Sequence, residues 1–137
     1  MKSHVKVAVI GGGVVGASVL YHLTKRGWRD VALIERSELT SGSTWHAAGG
    51  MHTLNGDPNV AQLQQYTINL YKEIEAISGQ SCGAHMPGGV MLAGTKERMQ
   101  FLKMAHARGR YLGIETELIS VAEAKNRFPF LDEKHFV

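Results

Sequence analysis

Apolar residues recur along this chain in two rhythms, and the change from one to the other divides it. Val5 to Ile10 is short, β-branched and nearly all apolar, which predicts a parallel strand buried on both faces. From Val14 to about Arg26 the spacing becomes helical, with Val15, Val19 and Leu23 on one face. Lys25 and Arg26 suit the negative end of the helix dipole, and Gly27 stops the helix. Val31-Ala32-Leu33-Ile34 predicts a second strand, ending at Glu35. Thr40 to Gly50 is built of small residues and has no period.

Beyond residue 50 the helical rhythm dominates. Asp57-Pro58 reads as an N-cap followed by a proline in the first helical position. Val60, Leu63, Tyr66, Leu70, Ile74 and Ile77 keep helical spacing to about Ser78, and Gly79 ends the helix. Gly89 to Ala93 reads as a strand. Thr95 opens a helix to about Leu112, with Met99, Leu102, Ala105 and Leu112 on its buried side. Lys96, Arg98, Lys103, Arg108 and Arg110 give it a basic outer face, which is ordinarily solvated surface. Glu115 to Ile119 reads as a short strand, and Ser120-x-x-Glu123 as a capping box for a last helix closed by Phe128-Pro129. The expected regions are 1–50 and 51–137.

The first region carries the chemistry. Gly11, Gly13 and Gly16 form G-x-G-x-x-G between strand and helix. Gly11 allows the tight turn, Gly13 lets a pyrophosphate approach the backbone, and Gly16 lets the helix lie against the strand. Val14 and Val15 begin the helix, whose unpaired N–H groups favour an anion. Glu35 falls about 20 residues beyond the glycines, where an acid accepts hydrogen bonds from ribose hydroxyls. A glycine-rich turn in some other α/β unit does not account for strand, turn, helix and acid together.

Arg36 complicates the choice of nucleotide, because an arginine there would meet the 2′-phosphate of NADP. Glu35 would repel that phosphate. A nicotinamide-binding unit ordinarily continues into a crossover helix and a third strand. This chain continues instead into Gly42-Ser43-Thr44-Trp45-His46-Ala47-Ala48-Gly49. Such a segment brings its backbone close to a flat ring and aims several N–H groups at it. The hydroxyls of Ser43 and Thr44 reach towards phosphate oxygens. The segment therefore favours FAD.

VAVIGGGVVGAS, LIER and LTSGSTWHAAG together resemble the N-terminus of the FAD-dependent amine oxidoreductases of the D-amino-acid-oxidase superfamily, in particular the dimethylglycine and sarcosine dehydrogenase group. The G-S-T-W-H-A-A-G run is the specific part. A looser likeness through His85-Met86-Pro87-Gly88-Gly89 and Leu92-Ala93 extends it over nearly the whole chain. The resemblance implies FAD joined covalently through His46 to its 8α-methyl carbon. A plainer role for His46 is stacking or hydrogen bonding within the loop. It also implies oxidation of a small-molecule N-methyl amine, such as dimethylglycine or sarcosine, by hydride transfer to the flavin. A folate or electron-acceptor partner would work through further domains, and the catalytic residues would lie beyond Val137. Members of the group can carry a longer polar or basic side chain where this chain has Met91, which puts a substrate contact there in doubt. Other readings are a flavoenzyme for a D-amino acid or glycerol phosphate, and a non-catalytic regulatory protein that keeps the fold.

Composition adds exclusions. A formal charge of +3 over 137 residues, without a clustered basic run, argues against nucleic acid. No apolar stretch is long enough for a membrane span. A strand starting near residue 5 leaves no room for a targeting segment. Cys82 is alone, so no internal disulfide or zinc motif exists, and a cytoplasmic setting fits. Tyr66 and Tyr71 read as core and His52 as a loop residue, while His85, beside Pro87, reads equally as lining the site or as an ordinary loop residue. The fold class is α/β: a Rossmann-like FAD-binding βαβ unit followed by the start of an α+β substrate region. No third strand follows Glu35 soon, so the fold is expected to be incomplete in this chain. Residues 1–137 are read as the N-terminal part of a longer protein, with an unpaired sheet edge.

Overall fold

In the first of two units, β1 (Val7–Ile10) pairs in parallel with β2 (Val31–Ile34), with partners Val7↔Val31, Ala8↔Ala32, Val9↔Leu33 and Ile10↔Ile34. The computed structural model describes residues 3–137, and the chain divides into units of 1–50 and 51–137. Parallel strands need a long crossover, which α1 (Val14–Lys25) supplies. Strand pairing begins at Val7 rather than Val5, after Asp30 O accepts from the N–H groups of Lys6 and Val7 at 3.1 and 3.3 Å.

The covered side of α1 differs from the expected one. Val15 is 74% exposed and Val19 45%, whereas Gly16, Leu20 and Leu23 are partly covered. The cause is steric. A Cβ on Gly16 would stand 1.8 Å from Gly11 O and 3.5 Å from Leu33 Cδ1, so this is the point of closest approach. Residues four and seven positions on follow Gly16 inward, and the valines turn outward.

β1 is likewise covered on one face only, whereas Val31, Ala32 and Leu33 of β2 are all partly covered. Along β1, Val7 and Val9 are covered while Ala8 and Ile10 are exposed, and Ile10 reaches 84% exposure. Burial on both faces is thus not met. Among the described residues of this unit, one helix packs on the pair, and the sheet has two strands with free outer edges.

The second unit holds α2 (Pro58–Ser78), α3 (Lys96–Tyr111), α4 (Val121–Arg127) and a 3-10 turn at Glu133–His135. Asp57 caps α2 by accepting from the N–H groups of Asn59 and Val60 at 2.7 and 3.1 Å. Gly79, at φ 68°, closes α2 in the left-handed conformation. Its spacing is as expected but its phase is not. Ala61 is buried, and Leu63 and Ile77 are 64% and 71% exposed.

Thr95 Oγ1 caps α3 through Arg98 N–H. Leu102 is buried as expected. Gly109 is buried too, where a Cβ would come within 3.0 Å of Thr116 Cγ2. Half of the expected capping box forms at α4: Ser120 Oγ accepts from Glu123 N–H at 3.1 Å. The Glu123 carboxylate turns instead to Arg127, at 2.9 Å.

Neither expected strand of this unit is realised among the described residues. In the stretch 89–93, Val137 N–H donates to Ala93 O at 2.9 Å, and one such bond does not make a ladder. Ala61, Ala93, Leu102 and Ala124 are the buried apolar residues. Asp57→Ala should cost the full-length protein about 1 kcal/mol of stability, measured by chemical denaturation.

Candidate functional site

The turn between β1 and α1 holds three successive glycines, each constrained differently. Gly11 takes φ 103°, a conformation that glycine adopts without penalty, and its N–H donates to Ile34 O at 2.8 Å. Gly12 is buried. A Cβ there would lie 2.5 Å from Leu39 Cδ2. A Cβ on Gly13 would lie 2.9 Å from Thr44 Oγ1, so a hydroxyl of the chain itself fills the space beside Gly13 that was expected to admit a pyrophosphate.

That hydroxyl also meets the helix. Thr44 Oγ1 accepts from Val14 N–H at 2.9 Å. Ala17 N–H donates to Gly13 O at 2.9 Å, the start of the intrahelical ladder. The N–H groups of Val15 and Gly16 precede it, in the first turn, where a helix supplies no intrahelical acceptor. They carry the partial positive charge of the helix start. A hydroxyl that accepts one hydrogen bond still has its own proton to donate.

Glu35 is tied to the same turn. Its Oε2 accepts from Gly12 N–H at 2.6 Å and its Oε1 from Ser37 N–H at 2.9 Å. The Gly12 N–H bond first and the Ser37 N–H bond second hold this carboxyl below its ordinary range, against the opposing effect of burial and with a lesser contribution from the neighbouring Arg36. A carboxylate offers about four lone-pair positions, so two amide bonds leave room for ribose hydroxyls. Arg36 is exposed.

The loop after β2 is folded onto this turn. Thr40 N–H donates to Gly12 O at 3.1 Å, and Thr40 O accepts from Trp45 N–H at 3.0 Å. His46 N–H and Ala47 N–H go to Ser43 O and Thr44 O. The amides of Trp45, His46 and Ala47 are therefore satisfied inside the loop rather than turned to a ring. His46 Nδ1 lies 2.9 Å from Gly42 O. A carbonyl only accepts, so Nδ1 carries the proton, and in the uncharged ring the lone pair sits on Nε2.

These elements border an open cleft of about 630 Å³. It brings together Gly11, Gly13, Val14, Val15, Gly16, Glu35, Arg36, Gly42, Ser43 and Thr44 of the expected residues. Trp45, His46, Ala47, Ala48 and Gly49 are not part of its lining, and Trp45 is 77% exposed. Ile10, Val14 and Val15 add an exposed apolar wall. Amide donors, a hydroxyl, an accepting carboxylate and an apolar wall are the groups that the pyrophosphate, ribose and base of a dinucleotide need, and FAD fits them.

Sequence reasoning passed over Gly12 and Thr40. A glycine between Gly11 and Gly13 was a visible signal for Gly12, since the motif requires only its neighbours. Thr40 offered none, because a β-branched residue is not expected at positive φ.

In the second unit His52, His85 and Met91 are exposed. Among the described residues no cluster of metal-binding side chains occurs. No helix among them is long and apolar enough to cross a membrane.

Comparison with known proteins places this geometry. The profile of the DAO family, described as FAD dependent oxidoreductase, matches residues 6–137. Dimethylglycine dehydrogenase, mitochondrial, of Rattus norvegicus is 40% identical over 131 residues, covering 96% of this chain and 15% of that protein. Sarcosine dehydrogenase, mitochondrial, of Homo sapiens is 35% identical over 133 residues, covering 96% and 14%. The pyruvate dehydrogenase phosphatase regulatory subunit, mitochondrial, of Mus musculus is 33% identical over 132 residues, covering 96% and 15%. Glycine oxidase from Bacillus cereus ATCC 14579 superposes with a TM-score of 0.78 at 22% identity, covering 98% of this chain and 38% of that one. The chain thus spans about a seventh of the length of these curated relatives.

Three outcomes follow from the geometry. Gly16→Ala places a methyl group against a backbone oxygen and should destabilise the full-length protein by about 3 kcal/mol. Gly42→Ala, which meets nothing within 4 Å, should stay within about 0.5 kcal/mol of wild type in the same denaturation experiment. The Glu35 carboxyl is held below its ordinary range, so its contribution is complete above that range and is lost as pH falls through its folded value. Melting curves of wild type and Glu35→Gln should differ at neutral pH and converge below that range.

Proposed function

The chain belongs to the DAO family of FAD-dependent oxidoreductases, and from that premise we propose that the full-length protein oxidises an N-methyl amine such as dimethylglycine or sarcosine. The observation that carries the reading is the loop with His46. It is anchored to the dinucleotide turn, and its imidazole keeps Nδ1 on Gly42 O, which leaves Nε2 to form a bond.

Bound FAD would supply the oxidant, accepting a hydride equivalent from the N-methyl carbon. The chain's own residues hold and orient it. The amides of Val15 and Gly16 and the Thr44 hydroxyl would take the pyrophosphate. Glu35 would accept from the ribose hydroxyls through the lone pairs that Gly12 and Ser37 leave free, and its charge would disfavour a 2′-phosphate despite Arg36. His46 would tether the ring at its 8α carbon, retaining the cofactor through each cycle. Proton-transfer residues, and any folate or electron-acceptor partner, are assigned to the longer protein. The proposal keeps the cytoplasmic setting expected for a chain whose single cysteine, Cys82, is exposed and free.

A second reading is a non-catalytic regulator that keeps the fold, supported by the likeness to the phosphatase regulatory subunit. The intact His46 loop favours the enzyme.

The test uses full-length protein, precipitated in acid and washed. The pellet should stay yellow, and the peptide containing His46 should carry the mass of the flavin. His46→Ala should release all colour to the supernatant, and dimethylglycine or sarcosine should bleach the wild-type flavin absorbance. Release of all flavin from the wild type would return His46 to a packing role. Absence of bound flavin would favour the regulator.

A further inference from the structure

We infer that Thr40 is a positioning residue for the tether loop, and that its left-handed backbone is what aims His46. Thr40 is the non-glycine residue with positive φ among the described residues, at 68°. A β-branched side chain makes that conformation unfavourable, so it persists only where surrounding contacts over-determine it.

Those contacts are on both sides of the residue. The Thr40 N–H holds Gly12 O at 3.1 Å, and the Thr40 carbonyl holds Trp45 N–H at 3.0 Å. One residue thereby joins the glycine turn to the loop that carries the histidine. A second clamp lies four positions on, where Thr44 Oγ1 receives Val14 N–H at 2.9 Å. The two clamps grip neighbouring residues of the same turn, Gly12 and Val14. His46 follows the second clamp by two residues and is turned by its own bond to Gly42 O.

At negative φ, the N–H and carbonyl of residue 40 would point in a different relation to each other, and the two bonds could not both form. The strain at Thr40 is thus coupled to the direction in which the imidazole is presented. The consequence at His46 rests on the flavin reading above, whereas the backbone clamp does not.

The test uses full-length variants and three separate readouts. Thr40→Gly and Thr40→Ala both remove the hydroxyl and the γ-methyl and differ only in Cβ, so positive φ requires Thr40→Gly to melt above Thr40→Ala. The opposite order would overturn the inference, with or without flavin. Thr40→Pro removes the N–H and forbids positive φ. It should raise amide hydrogen exchange across residues 41–47 at least about tenfold.

With FAD saturating, Thr40→Pro should also slow the appearance of acid-stable flavin by about a hundredfold, the scale set by an ångström of misplacement. Thr40→Gly and Thr40→Asn, which accept positive φ, should restore the wild-type rate. Unchanged exchange in Thr40→Pro would sink the inference. So would an unchanged rate of tethering beside raised exchange. If wild type binds no flavin, the functional proposal fails and the exchange and melting comparisons alone decide the role of Thr40.

Discussion

The contact between α1 and the turn that precedes it is backbone against backbone. At Gly16 the helix lies so near Gly11 O that a methyl group would have 1.8 Å of room. Several features follow from it. The helix start is held over the turn, so the first-turn residues Val15 and Gly16 and the carboxylate of Glu35 border one cleft. The phase of α1 is fixed, which turns Gly16, Leu20 and Leu23 to the sheet and leaves Val14 and Val15 to form the cleft's apolar wall. A larger residue at position 16 would move the helix start and its dipole together.

Internal groups already satisfy much of what a dinucleotide would ask for. Gly12 N–H has Glu35, and Val14 N–H has Thr44. Neither arrangement blocks the ligand, because a carboxylate and a hydroxyl each keep further capacity after one or two bonds. The effect is preorganisation. The two side chains that would touch ribose and phosphate are held by backbone amides of the same turn, so less ordering remains to be done when the ligand arrives.

Much of the first unit was legible in the sequence because its signals are local. A β-branched run, spaced glycines and an acid at the right distance each report a backbone requirement that acts over a few residues. The caps at Asp57, Thr95 and Ser120 were legible for the same reason. What misled was phase and coverage. Val15, Val19, Leu63 and Ile77 have helical spacing yet are exposed, since spacing says that a face exists and not what covers it. The strands expected at Gly89–Ala93 and Glu115–Ile119 needed ladder partners that spacing cannot supply. Thr40 is the plainest case. Its conformation contradicts its own propensity, and only the paired demands of Gly12 O and Trp45 N–H account for it.

The separation of Thr44 from His46 bears on how one loop could serve both ends of an extended cofactor. Thr44 lines the cleft beside the helix start, and His46 does not. A residue that bonds the ring should not share the pyrophosphate's cleft, because the ring and the adenosine lie on opposite sides of that pyrophosphate. Two residues of a tightly turned loop span a short distance with little freedom, since Trp45, His46 and Ala47 spend their amides inside it. In the proposed function this one tightly turned piece would carry both the phosphate-facing hydroxyl and the imidazole that tethers the ring, so that neither would need reordering when the ligand arrives. The glycine turn then acts beyond its grip on the phosphates: through Thr40 and Thr44 it supports the residue that would hold the other end of the molecule.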